Sequence, residues 1–258
     1  MRITRWPALV LAGAAFFTVC RPAQCGTVGA EWANWDTNGD PFLPNTGSNA
    51  SDFYYTMSAF GHAGKFLSGN SNFWKGDTVD PNVSGSWDQW YADNANIYFF
   101  STHGGSNPNA FVMSAGHDNV VDGDAGHLSW TNSGGHQWWI LGNKDLRILG
   151  MVSCHSLQLS DIPHWDPVAA GLHMITGGDG LMYDNAGRGR AWALWGNFPG
   201  ISVKQAWFMA SPDSRERPVV LAYGVNSGDA LSRLNNERFG SSMSRLGTRT
   251  YRWWAWVR

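Results

Sequence analysis

The sequence predicts an α/β domain built on a mainly parallel central sheet. Three continuous apolar runs carry that prediction: Ile97 to Phe100 (IYFF), Leu146 to Val152 (LRILGMV) and Leu172 to Thr176 (LHMIT). Such runs suit strands buried on both faces, because a parallel sheet is covered by helices on each side. Segments of helical character stand between and after them, and strands that alternate with helices belong to this class.

The elements follow in chain order. Residues 26–49 are rich in Gly, Asn, Asp and Pro and read as an irregular lead-in. Over 51–61, Phe53, Met57 and Phe60 recur at helical spacing, with Asn49 or Ser51 as cap. Residues 69–95 read as loop, anchored by Trp74, Trp87 and Trp90. The first apolar run ends at Ser101-Thr102-His103-Gly104-Gly105, the second at Ser153-Cys154-His155-Ser156 and the third at Gly177-Gly178-Asp179-Gly180. Asp166 to Ala170 suits a short helix with Asp166 as cap and Pro167 in its first turn. Ile201 to Ala210 presents Val203, Ala206, Trp207 and Ala210 on one face, with Ser202 and Gln205 in capping-box relation. Pro218–Tyr223 and Thr250–Val257 are expected strands.

Residues 1–25 read as a signal peptide: Arg2 and Arg5 precede an apolar run from Ala8 to Val19, and Ala23-Gln24-Cys25 offers small residues for cleavage. The run is short of the ~20 residues that span a bilayer. The expected location is therefore secreted or periplasmic, with residues 26–258 as one domain and no membrane span in the mature chain. Removing Arg2, Arg5 and Arg21 and no acid moves the formal charge from −2 to −5. That acidic balance argues against nucleic acid as a partner.

Cys20 and Cys25 fall within the expected leader, which leaves Cys154 alone in the mature chain. A lone thiol forms no internal disulfide; it is either an inert buried hydrophobe or a reactive group. Its position favours the second. In parallel sheets functional residues gather beyond the carboxyl ends of the strands, and His103 and Cys154 both stand there. An imidazole can take the thiol proton, form an ion pair and later protonate a leaving amine. The glycines after His103 allow backbone to approach a substrate and leave room for an oxyanion donor.

The stretches Phe99-Phe100-Ser101-Thr102-His103-Gly104-Gly105 and Gly150-Met151-Val152-Ser153-Cys154-His155 resemble the histidine–glycine and cysteine motifs of the caspase-like cysteine peptidases, the group of caspases, gingipains, legumain, clostripain and separase. The wider pattern also resembles an uncharacterised exported bacterial family of that fold. The separation of 51 residues between His103 and Cys154 agrees with the roughly 50 of caspases. The resemblance covers about residues 50–225. It implies a caspase-like three-layer α/β/α sandwich, a peptide or protein substrate, His103 as general base and acid, Cys154 as nucleophile, and the backbone N–H groups of Gly104 and Cys154 as oxyanion donors. Val152-Ser153-Cys154-His155-Ser156 departs from the caspase signature Q-A-C-[RQG]-G, with no glycine after the cysteine. His155 reads as structural. Asp179 and Asp184 lie where members of the group that prefer basic residues carry an acid, and are the candidates for substrate binding; the plainer reading of each is a turn-forming carboxylate.

No cofactor is expected. Asp36, Asn38 and Asp40 alternate like calcium ligands, but Pro41 and Gly47 break the EF-hand pattern, so an Asx-rich turn is preferred to a calcium site. His117, His127 and His136 match no zinc motif. Sixteen tryptophans read mainly as core and loop anchors. Neighbouring pairs such as Trp138-Trp139 and Trp253-Trp254 would point to opposite faces of a strand. The rivals to a hydrolase are a catalytically silent relative that binds a peptide or glycan through aromatic loops, and a metal-dependent hydrolase built on the loop histidines.

Overall fold

The computed structural model describes residues 25–34, 42–79, 86–107, 110–114, 127–128, 141–241, 244 and 251–256. The chain enters through β1 (Thr27–Trp32), crosses in α1 (Thr46–Ala59) and returns as β2 (Ala63–Gly69). Three short 3₁₀ turns between residues 70 and 94 lead into β3 (Ile97–Ser101). A small antiparallel sheet follows, made of β4 (Gly104–Asn107), β5 (Ala110–Ser114) and β6 (His127–Leu128). Then come β7 (Ile148–Val152), α2 (Ile162–Val168), β8 (Met174–Gly178), α3 (Arg188–Gly196), α4 (Val203–Ala210), β9 (Pro218–Gly224), α5 (Ser227–Asn236) and β10 (Tyr251–Trp256).

The central sheet has seven strands in the order β10-β9-β8-β7-β3-β1-β2. Strands β2, β1, β3, β7 and β8 are parallel; β9 runs antiparallel to β8, and β10 to β9. Helices cover both faces, giving the expected three-layer α/β/α sandwich with a mainly parallel sheet. Alternation along the strands sends Tyr98, Phe100, Leu149, Met151, Ile175 and Leu221 to one face, where α2 and the 3₁₀ turns pack. Ile97, Phe99, Ile148, Val152, Met174 and Val220 go to the other, under α1, α3, α4 and α5. On that second face Trp192 of α3 is fully buried, with ring centroids 5.3 Å from Phe53, 5.2 Å from Trp207 and 5.0 Å from Phe239. Gly150 of β7 leaves the space that the Trp192 ring fills; a Cβ there would come inside 3.0 Å of it.

Several elements depart from expectation. The lead-in contains a buried strand, β1, and α1 begins at Thr46, five residues before the expected start. Asn45 precedes α1 without a side-chain cap, and its amide donates to the Asp184 carbonyl at 2.7 Å. The short helix expected at Asp166 is α2, which begins at Ile162 and holds Pro167 inside, so Asp166 is not its cap. Strands β7 and β8 start two residues later than the apolar runs, at Ile148 and Met174. The Ser202–Gln205 capping box of α4 forms as expected. Trp74 and Trp87 meet edge to face at 6.4 Å, whereas Trp90 is 64% exposed and stacks under Lys144 instead of anchoring the loop in the core. Among the described residues no helix is long and apolar enough to cross a membrane. Residues 1–24, Asp36, Asn38, Asp40, His117, His136 and the Trp138-Trp139 pair lie outside the described residues.

Candidate active site

Strand order reverses between β1 and β3. From there β1 leads to β2 on one side, while β3 is followed by β7 and β8 on the other. Crevices at such reversals, beyond the carboxyl ends of parallel strands, are where α/β sheets bind ligands. Ser101 and Val152 are register partners at the ends of β3 and β7, and Thr102 N–H donates to the Val152 carbonyl at 3.1 Å. His103 and Cys154 each stand two residues past that pair. The two expected site residues are thus delivered to one edge by adjacent strands.

Gly104 closes this junction. A Cβ on it would come well inside 3.0 Å of Ser153 Oγ and of the Cys154 carbonyl oxygen. The glycine is required for the start of β4 to lie against the Ser153–Cys154 peptide. The two backbone segments expected to donate to an oxyanion, Gly104 and Cys154, are therefore side by side. Gly104 is paired with Met113 in the β4–β5 ladder.

Cys154 is a free, half-buried thiol. Its Sγ lies against the Met182 peptide, 3.4 Å from the N–H that donates to it and 3.5 Å from the carbonyl it donates to. The turn after β7 is laced to the turn after β8: His155 N–H donates to the Gly180 carbonyl at 2.6 Å, Leu157 N–H to the Gly178 carbonyl at 3.0 Å, and Gly178 N–H to Ser156 Oγ at 3.0 Å. His155 is left-handed, with φ 57°, an uncommon and strained state for a non-glycine residue. Its Nδ1 is buried without a hydrogen-bond partner among the described residues. The strain sits beside the thiol and bends the chain so that Cys154 occupies the start of the turn.

The two acids proposed to bind substrate have different surroundings. Asp179 is engaged: Arg217 Nη2 lies 2.9 Å from its Oδ2, and Leu159 N–H reaches its Oδ1 at 3.4 Å. Asp184 accepts from Asn45 N–H through Oδ2 at 2.8 Å, and its Oδ1 is buried with no hydrogen-bond partner among the described residues. Burial raises the Asp184 carboxyl above its ordinary value; the Asn45 donors, the Arg188 guanidinium and the His103 imidazole pull it back. Asp184 and His103 therefore interact electrostatically.

Behind this wall Arg188, the first residue of α3, forms an ion pair with Glu216 at 2.5 Å, both side chains being almost fully buried. The same Glu216 oxygen accepts from Tyr183 N–H at 2.7 Å, so the pair holds the Met182–Asp184 segment that lines the thiol. Met182, Asn45, Arg188 and Glu216 were not anticipated. Their only sequence signal is the placement of Met182 and Arg188 shortly after the third apolar run. Among the described residues no group of three or more His, Cys, Asp or Glu side chains could hold a metal ion; the calcium candidates Asp36, Asn38 and Asp40 are outside them.

A three-layer α/β/α protein, with a thiol and an imidazole at the tips of adjacent parallel strands, is the class that fold and site define. The chain belongs to the family described as Domain of unknown function (DUF6345), which matches residues 30–258. No curated protein matches it.

Proposed function

We propose that the protein is an exported cysteine-dependent hydrolase of peptide bonds, of the caspase-like kind, acting through Cys154 and His103. The supporting observation is the register of β3 and β7, in which Ser101 pairs with Val152, so that His103 and Cys154 follow the ends of neighbouring parallel strands. In the reaction, His103 takes the proton of Cys154 Sγ, and the thiolate forms a bond to the scissile carbonyl carbon. The resulting oxyanion is stabilised by N–H donors at the Gly104–Cys154 junction. Collapse breaks the C–N bond, and the imidazolium returns the proton to the leaving amine. Water, deprotonated by His103, then cleaves the thioester, releasing the acid and restoring the thiol. The Met182 N–H is a donor that a thiolate would accept.

The test is cleavage of a proteome-derived peptide library by the wild-type chain and by Cys154→Ala in parallel. Cleavage products formed by wild type and lost in the variant support the reading. Products that persist in Cys154→Ala, or none from wild type, reject it.

A second reading rests on β10. Tyr251, Trp253, Trp254 and Trp256 are all exposed on this edge strand, and Arg252, Trp253, Trp254 and Trp256 line a mostly apolar cleft of about 400 Å³. Exposed indole faces beside an arginine suit a peptide or glycan ligand. This binding-module reading predicts saturable ligand quenching of tryptophan fluorescence that Trp254→Ala abolishes and Cys154→Ala leaves unchanged.

A further inference from the structure

Resting on the thiol–imidazole reading above, we propose that Asp184 is a positioning residue for His103, which holds and charges the imidazole instead of receiving a basic group of the substrate. Asp184 is fixed at two points to Asn45, the residue before α1: Asn45 N–H donates to Oδ2 at 2.8 Å, and Asn45 Nδ2 donates to the Asp184 carbonyl at 2.7 Å. The carboxylate cannot swing out to follow a substrate without breaking the first of these bonds. Its other oxygen, Oδ1, is buried and lacks a hydrogen-bond partner among the described residues. A buried acceptor left in that condition carries the full cost of its lost hydration, so it is poised for a donor.

The segment that carries Asp184 also touches the nucleophile. Met182, two residues earlier, is hydrogen-bonded to Cys154 Sγ through both its N–H and its carbonyl. His103 precedes Gly104, which abuts the Ser153–Cys154 peptide. Thiol and imidazole thus follow the ends of β7 and β3, and the carboxylate comes from the loop between β8 and α3. The electrostatic interaction between the Asp184 carboxylate and His103 agrees with this arrangement. When one ring nitrogen takes the proton from Cys154 Sγ, the N–H on the other donates to Asp184 Oδ1. The carboxylate stays ionised throughout and stabilises the imidazolium, the role an acid plays behind a catalytic histidine.

The test is the NMR titration of the His103 imidazole in the full chain, wild type against Asp184→Asn. The asparagine retains an acceptor for Asn45 N–H while losing the charge. The expected result is a fall of about one pH unit in the His103 titration midpoint, recovered at least in part by Asp184→Glu. In wild type a protected ring N–H resonance of His103 is also expected once the imidazole is protonated, which needs no variant to fold. An unchanged midpoint, or a freely exchanging ring N–H in the protonated form, overturns the proposal. Alkylation of Cys154 in the same proteins separates the two readings. A thiol activated by His103 in a chain whose His103 midpoint ignores Asp184 rejects the positioning role alone. A His103 midpoint that follows Asp184, beside an ordinary thiol, upholds the pairing and rejects the hydrolase. If Asp184 received a substrate's basic group instead, Asp184→Asn would raise KM for basic substrates and leave the imidazole titration where it was.

Discussion

Gly104 lies with its Cα against the carbonyl of Cys154, so closely that a single added methyl would collide with backbone. The start of β4 therefore cannot reach its position with any other residue at 104. Gly104→Ala is expected to cost about 1–3 kcal/mol of stability, the range for overpacking, and to move His103 away from Cys154. Urea unfolding measures the first effect. The second is read as loss of Cys154 reactivity in a chain that is still folded. An alanine variant with wild-type stability and reactivity would show that the junction is loose.

Thiol reactivity is the direct readout of the Cys154–His103 pair. Iodoacetamide should alkylate the wild-type thiol well below pH 8, since the thiolate is the reacting form. His103→Ala should remove that low-pH reactivity and leave only the slow rise of an ordinary cysteine. The same pH profile in both proteins would mean that the imidazole does not act on the sulfur.

The central strands, and with them the positions of both candidate site residues, were legible because they depend on local sequence. A parallel strand buried on both faces must be continuously apolar, which marks β3, β7 and β8, and His103 and Cys154 follow two of their ends. The starts of β7 and β8 differ from the apolar runs because Arg147 and His173 are buried beside the apolar residues, each satisfied by hydrogen bonds outside the ladder. Strand β1 was missed because Glu31, a charged residue in a buried strand, breaks the apolar pattern. Its partners, Ser68 and Tyr98, belong to two other strands. The wall of the site was hidden for the same reason: Asn45 meets Asp184 across 139 residues and Arg188 meets Glu216 across 28. Pairings at that range leave no periodic mark.

The Arg188–Glu216 pair is expected to be structural and to act on the site through Tyr183. Glu216→Gln leaves a buried guanidinium without its counter-charge, and breaking a buried pair in this way costs about 3–5 kcal/mol. It also weakens the acceptor of Tyr183 N–H, which borders Met182 and Asp184. The variant should unfold at lower urea and, while folded, show altered Cys154 alkylation. A loss of under about 1 kcal/mol, the range of exposed pairs, would contradict the burial of the pair.

A buried acid pair near the ends of β1 and β3 sets the pH dependence of stability. Glu31 accepts from Tyr98 O–H at 2.5 Å and from Ser68 O–H at 2.6 Å, and Asp77 is near enough for its charge to act on it. Burial and the neighbouring Asp77 charge raise Glu31 well above its ordinary value. Burial pushes Asp77 up to about 7, and the buried Asp93, which caps Gly142 N–H at 2.7 Å, up to about 6. In the unfolded chain both aspartates titrate near 3.8. Between pH 4 and 7 the folded protein therefore holds protons that the unfolded chain has released. The two aspartates make stability fall as pH rises through that window, and the raised Glu31 acts in the same direction; buried His62, held below its ordinary value by desolvation, opposes them below pH 6.5. Each retained proton contributes a slope of about 1.4 kcal/mol per pH unit, so the two aspartates alone contribute a loss on the order of 3 kcal/mol from pH 5 to 7. Asp77→Asn keeps an acceptor oxygen for Trp74 N–H and removes the titration, and should make the curve shallower between pH 6 and 7, where Asp93 completes its own ionisation. Urea unfolding of wild type and Asp77→Asn across the range decides the matter: curves of the same shape from pH 5 to 7 would mean that Asp77 retains no proton in the folded chain there.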